Sequence, residues 1–336
     1  MTGGAPSLGT SVRAAPPRTM RAGLIAGPRT ARAIERPLPE PGPLEVRVRL
    51  EGCGVCGSNL PLWEGRPWFA YPREPGSPGH EGWGRIDALG AGVRGWSVGE
   101  RAALLSERAY AEYDVAPADR LVRLPPALDG LPFPGEALAC AVNVVRRARP
   151  ARGETVAVVG IGFLGALVVQ LAARRGARVV ALSRRPFALE AARRAGAAHT
   201  LETADRRATV ARVLELTGGR GAECVIEATG LQEPLDLAAE LTAMRGRLVI
   251  AGYHQDGPRR VDLQLWNWRG LDVINAHERD PAVYLAGMRA AAAAVIRGAL
   301  DPTPLYTHRV PLAELGRALD LLRERPDGFL KALVVP

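Results

Sequence analysis

Lysine is nearly missing from this sequence: of its 44 basic side chains, Lys331 is the only one that is not arginine. The formal net charge of +9 would by itself suit a nucleic-acid-binding surface. The arginines, however, fall in pairs such as Arg146-Arg147, Arg174-Arg175, Arg193-Arg194, Arg206-Arg207 and Arg259-Arg260, among alanine and glycine. That is the texture of ordinary solvated helix faces, and no helix-turn-helix, RRM or zinc-finger spacing accompanies it. Nucleic acid is therefore not an expected partner. Cysteine is scarce as well. Four in 336 residues do not make a disulfide framework, so free thiols or metal ligands in a reducing compartment are expected. No apolar run approaches the roughly 18 residues of a membrane span, so no membrane partner is expected. The stretch MTGGAPSLGTSVRAAPPRTM lacks the apolar core of a secretory signal. Residues 1–20 read as a disordered tail, and the cytoplasm as the location.

What is present changes character along the chain, which is long enough for two domains. In the first half, short apolar alternations such as LEVRVRL (44–50) lie between Pro/Gly clusters such as PLPEPGP (37–43) and PREPGSPG (72–79). Such punctuation predicts a β-rich domain with irregular loops, followed by a helix over ALACAVNVVRRA (137–148). From residue 153 the sequence alternates. TVAVVG (155–160), ARVVALS (177–183), CVIEATG (224–230) and RLVIAGY (247–253) read as buried strands. Residues 162–177, 186–197 and 234–244 read as the helices between them, and 282–300 as a long helix. That alternation predicts βαβ units and a parallel sheet covered on both faces.

Gly160-Ile161-Gly162-Phe163-Leu164-Gly165 matches G-x-G-x-x-G, and it lies between a strand and a helix, the context that makes the motif specific for a dinucleotide. Gly160 would allow the turn, Gly162 the approach of a pyrophosphate, and Gly165 close helix–strand packing. The second strand of such a unit ordinarily ends in an acid for the ribose 2′-hydroxyl. Here it ends in Ser183-Arg184-Arg185, a hydroxyl and two guanidiniums that suit a 2′-phosphate. NADP(H) is favoured over NAD(H).

Residues 53–58 read CGVCGS and residues 78–81 PGHE. A redox Cys-x-x-Cys would need a helix N-terminus at its first thiol, and none is evident. Cys53 and Cys56 can still be a zinc clip, or one ligand and one bystander.

The motifs GCGVCGSNLPLW (52–63), PGHEGWGRIDALGAGVRGWSVGERA (78–102) and GEALACAVNVV (135–145), followed by the nucleotide fingerprint, resemble the medium-chain zinc-dependent alcohol dehydrogenases. The likeness is to the branch holding polyol, sugar, sorbitol and threonine dehydrogenases, and it covers nearly all of the chain after about residue 20. It implies an α/β fold, with a GroES-like β-rich catalytic domain (21–145 and 283–336) and a Rossmann doubly wound nucleotide domain (146–282). It further implies one catalytic zinc on Cys56, His80 and Glu136, with Glu81 beside it as the carboxylate that this family keeps at the metal. Cys140, one helical turn after Glu136, is the alternative ligand. Ser58 would pass the proton, and Cys53 would be a bystander.

Two departures are visible. Residues 103–118, where many relatives carry a four-cysteine lobe, contain no cysteine, so a structural zinc is not expected. Asn59 and Pro61 replace the acid and histidine that commonly follow the cysteine ligand, which leaves open the proton path beyond Ser58. Hydride transfer between a secondary alcohol or ketone, polyol- or sugar-like, and a nicotinamide is the expected activity, in a homo-oligomer. Alternatives are a zinc-free NADPH-dependent quinone or enone reductase and a non-catalytic nucleotide- or RNA-binding protein. Loop 63–75, with Trp63, Trp68 and Phe69, and the run Trp266-Asn267-Trp268 would select the substrate. His199, His277 and His308 read as surface or packing residues, and His254 as lining the cofactor cleft.

Overall fold

The change in texture near residue 153 is a change from antiparallel to parallel pairing. A computed structural model describes residues 18–336; of the expected tail, residues 1–17 lie outside the described residues, while Thr19 and Met20 already belong to a strand. Strands β1 (Thr19–Gly27) and β2 (Thr30–Pro37) form an antiparallel ribbon. They are followed by β3 (Glu45–Gly54), helix α1 (Leu60–Trp63), β4 (Gly82–Leu89), β5 (Arg101–Leu104), β6 (Tyr113–Pro117) and β7 (Leu121–Arg123). Helix α2 (Gly135–Ala148) then leads into the alternating half.

That half runs β8 (Thr155–Val159), α3 (Phe163–Arg174), β9 (Arg178–Ser183), α4 (Pro186–Arg194) and β10 (His199–Glu202). It continues with α5 (Arg206–Leu216), β11 (Ala222–Glu227), α6 (Gln232–Leu241), β12 (Thr242–Ile250), α7 (Leu263–Arg269) and β13 (Asp272–Asn275). Helix α8 (Pro281–Ile296), β14 (His308–Pro311), α9 (Leu315–Glu324) and β15 (Ala332–Val335) complete the chain.

The parallel sheet has the order β10-β9-β8-β11-β12-β13. Winding leaves β8 in one direction toward β10 and in the other toward β13, so the crevice at the carboxyl ends of β8 and β11 is the topological switch point where ligands bind in such sheets. Strand β8 is buried along its whole length, as Val/Ala runs in a doubly covered parallel sheet should be. The second sheet has the order β14-β15-β3-β4-β5-β7, with β6 also pairing with β3. β15 joins it antiparallel to β3 through Leu333↔Gly54 and Val334↔Cys53, so the C-terminal strand returns beside the first cysteine.

The expected strands and helices are present, with β11 ending at Glu227 and α6 giving way to β12 at Thr242. β10, α5, α7 and β13 were not foreseen. Each is short or weakly patterned: β13 is largely exposed, and α5 shows only two buried residues. The joints expected at 145/146 and 282/283 fall inside α2 and α8. Those two helices pack on one another, and their residues Leu138, Val145 and Met288 share one core with Val156 and Val158 of β8 and Trp83 of β4. Within residues 103–118, Ala109 and Tyr110 donate backbone hydrogen bonds to the Gly79 and Gly76 carbonyls.

Candidate active site

β3 delivers the first functional group. Its end residue, Gly54, is followed by buried Val55, tied to Ala332 of β15, and then by Cys56 at the start of a 3-10 turn, Gly57–Asn59. Ser58 lies half-buried in that turn, while Cys53 stays in β3 with 1% exposure. Cys53 and Cys56 therefore differ in role, one being core and the other leading out of the strand.

His80 and Glu81 come from the loop before β4. Gly79 lets that loop approach closely: a Cβ there would lie 2.3 Å from the Tyr110 nitrogen. His80 Nδ1 sits 2.8 Å from the Pro78 carbonyl. A carbonyl only accepts, so Nδ1 carries a proton, and Nε2 is the nitrogen left to face a partner in the site. Cys56, His80 and Glu81 each bring a ligand atom within 4.8 Å of the others. Burial acts to lower the His80 pKa, but the Cys56 thiol group and the Glu136 and Glu81 carboxylates outweigh it and raise it well above the usual range. A pocket with that excess of negative groups favours a cation.

Glu136 stands beside this set rather than in it. It opens α2, and Cys140 one turn later donates to its Oε1 at 3.2 Å. Burial raises the Glu136 pKa, with repulsion from Glu81 adding to the effect. Glu81, which the resemblance put beside the metal, thus groups with Cys56 and His80, while Glu136, the expected third ligand, is held by Cys140 near them.

Sequence reasoning overlooked Lys331. Its ammonium is buried, 2.7 Å and 2.5 Å from the two Glu81 oxygens and 2.9 Å from the Val55 carbonyl. It also lies 4.8 Å from the centre of the Phe163 ring. The available signal was its isolation: one lysine among arginines, within the apolar run FLKALVVP. The ammonium serves there as a compact point charge with three donors.

The dinucleotide loop meets this site at Phe163, the first residue of α3. Gly160 has φ +99, and a Cβ on it would lie 2.3 Å from Thr229 Cγ2. A Cβ on Gly165 would lie 2.1 Å from the Gly160 carbonyl oxygen, whereas one on Gly162 would meet nothing within 4 Å. Tight turn, close packing and open approach are thus distributed as the motif requires. Leu164 is half-buried behind it.

Opposite, Glu227 ends β11 fully buried, accepting from the backbone N–H groups of Thr229 (2.5 Å) and Gly230 (2.9 Å). His254 Nδ1 accepts from Arg259 Nε at 2.9 Å, so its Nε2 carries the proton donated to Glu227 at 3.1 Å. His254 is therefore a strut for the cleft wall. His277 stacks on Tyr253 at 4.9 Å, His308 packs against Phe329, and His199 is half-buried on β10.

At the end of β9, the Ser183 hydroxyl accepts from the Arg185 N–H at 3.2 Å and Arg184 is exposed. Arg185 instead uses its guanidinium on two carbonyls, Phe329 at 2.6 Å and Ile161 at 3.1 Å. It ties the dinucleotide loop to the C-terminal segment. Among the aromatics expected at the substrate, Trp63 is core, donating to Asp320 at 3.0 Å, while Trp68 is 54% exposed. Phe69 and Trp266 are half-buried and Trp268 is 81% exposed.

Residues 42–126 match the alcohol dehydrogenase GroES-like domain, and residues 164–292 match the zinc-binding dehydrogenase family. The chain is 28% identical to an erythritol/L-threitol dehydrogenase of Mycolicibacterium smegmatis, over 95% of this chain and 98% of that one. A zinc-binding dehydrogenase of Sinorhizobium meliloti, solved with NADP, superposes with a TM-score of 0.81 at 26% identity, covering 95% of this chain and 99% of the other. The Escherichia coli RspB dehydrogenase, solved with NADH, shares the fold with a TM-score of 0.83 at 24% identity, covering 95% and 100%.

Proposed function

The chain belongs to the zinc-dependent medium-chain alcohol dehydrogenases, in their polyol- and threonine-dehydrogenase-like branch, and from that premise we propose which of its residues carry the reaction. It is an NAD(P)-dependent alcohol dehydrogenase. The observation that carries the proposal is the convergence of a cysteine, an imidazole and a carboxylate within 4.8 Å, beside the start of α3.

Thiolate, imidazole and carboxylate suit zinc in softness and number, with a position left for substrate. We assign Cys56 and His80 as ligands, with Glu81 and Glu136 as the carboxylates competing for the third position. Bound zinc would supply Lewis-acid polarisation of the substrate oxygen, and bound nicotinamide would take or deliver hydride. The chain's own residues do the rest. The Pro78 carbonyl fixes the His80 tautomer. Lys331 neutralises Glu81 and holds it away from solvent. Ser58, two residues after Cys56 in the same turn, gives or takes the hydroxyl proton. Gly160, Gly162 and Gly165 admit the pyrophosphate, and buried Phe163 and Leu164 close the loop behind it.

Several finer readings belong to the same proposal. NADP(H) is favoured over NAD(H), because Ser183 and Arg184 stand where a carboxylate would bind the 2′-hydroxyl. The substrate is a polyol- or sugar-like secondary alcohol, as the name of the M. smegmatis relative suggests. The protein is a cytoplasmic homo-oligomer. Among the described residues no helix is long and apolar enough to cross a membrane.

Zinc per chain, measured on protein purified without chelator, tests the mechanism. About one zinc per chain is expected for a single open catalytic site, and Cys56→Ala should lose both metal and turnover. Near-zero zinc with intact NADPH binding would instead favour the zinc-free enone reductase.

A further inference from the structure

Tyr110 carries a hydroxyl into the core, where its side chain has 0% exposure. A hydroxyl buried in this way needs a partner, and this one donates to Asn59 Oδ1 at 2.7 Å, with the Gly54 carbonyl 3.4 Å away. Asn59 is itself 2% exposed, and its N–H closes the turn after Cys56 by donating to the Cys56 carbonyl at 3.0 Å. The hydroxyl thus meets both ends of the segment 54–59, in which Cys56 sits.

The same residue meets the His80 loop through its main chain. The Tyr110 N–H donates to the Gly76 carbonyl at 3.0 Å, and the Ala109 N–H to the Gly79 carbonyl at 2.8 Å. Gly79 directly precedes His80, and a Cβ on it would lie 2.3 Å from the Tyr110 nitrogen. Behind these contacts, the Tyr110 carbonyl accepts from Gly23 of β1 at 2.8 Å, and Ala111 bridges to Ala22. Tyr110 is therefore anchored on a strand outside the site, with its backbone on one ligand loop and its hydroxyl on the other. The ladder between β3 and β4 ends at Cys53↔Gly82, short of both Cys56 and His80. Their separation is left to contacts of this kind.

We propose that Tyr110 is a positioning residue for the metal centre, which fixes the Cys56 turn and the His80 loop relative to one another so that thiolate and imidazole are in place before a cation enters. This rests on the zinc reading above and extends it to a residue that acts through Asn59 and Gly79. Ligands that must first be gathered bind their metal more weakly, by the cost of ordering them.

The test uses zinc itself, with its dissociation constant taken from competition with a chromogenic chelator, and the ligand-field absorption of the Co2+-loaded protein. Tyr110→Phe removes the hydroxyl and keeps the ring and the backbone bonds. It should weaken zinc about tenfold, the lower end of what outer partners of metal ligands contribute, and shift the Co2+ bands. It also strands Asn59 Oδ1 in the core, so the thermal midpoint in excess chelator should fall. Tyr110→Phe/Asn59→Leu separates the two effects, and it is read alone if the single variant does not fold. Two apolar partners should restore the midpoint but not the fastening, so zinc should stay weak. Wild-type zinc affinity and Co2+ bands in Tyr110→Phe would refute the proposal. So would a double variant that regains stability and zinc affinity together, since the hydroxyl would then be structural only. If the wild-type protein binds no zinc, the zinc reading itself falls, and this inference with it.

Discussion

A buried charge is tolerated only when its partner is present, and the Lys331–Glu81 pair is the clearest case in this molecule. Both side chains are nearly fully buried, at 5% and 1% exposure. Burial alone would discharge the lysine, but the Glu81 carboxylate outweighs it, so the Lys331 pKa is raised. Removing one partner strands the other. Lys331→Met should therefore cost about 3–5 kcal/mol in urea unfolding, and adding Glu81→Gln should recover most of that loss. If the single variant is as stable as wild type, the pair carries no structural weight. Its position explains why sequence patterning overlooked it: Glu81 was visible beside His80, but its partner is 250 residues away and reaches it only because β15 pairs with β3.

At the scale of elements, the dinucleotide loop shows how a local pattern becomes a binding surface. α3 can start against β8 only because Gly165 brings no side chain: a Cβ would lie 2.1 Å from the Gly160 carbonyl oxygen. Backbone cannot yield as a flexible side chain would. Gly165→Ala should thus push α3 away from the loop and weaken NADPH by at least about tenfold, one misplaced charge-assisted contact, with a lower thermal midpoint. Calorimetric titration checks the affinity, and wild-type affinity in the variant would contradict this packing. The strands of this sheet were readable because burial on both faces demands continuous Val/Ile/Leu/Ala runs. β13 was not, since an edge strand with most residues exposed carries no such run.

That edge matters at the scale of the whole molecule. Among the described residues β13 pairs with β12 alone, and exposed Val273, Leu263 and Trp268 lie on β13 and α7. An open strand edge beside apolar side chains is a surface that proteins usually cover. A second copy joined along β13 would do so. Sedimentation should show a dimer for wild type and a monomer with unchanged zinc content for Val273→Arg/Trp268→Glu. A monomeric wild type at all concentrations would end this reading. Local spacing by itself determined the nucleotide loop and the alternating half, because each depends on neighbours a few residues apart, whereas Cys56 and His80 were singled out by the resemblance of their motifs. Only the tertiary structure decided that Arg185 is a tie to the Phe329 carbonyl and that Lys331 stands against Glu81. Those contacts are made by a C-terminal segment whose place is fixed by strand pairing and burial across the whole chain, and no periodicity along the sequence encodes them.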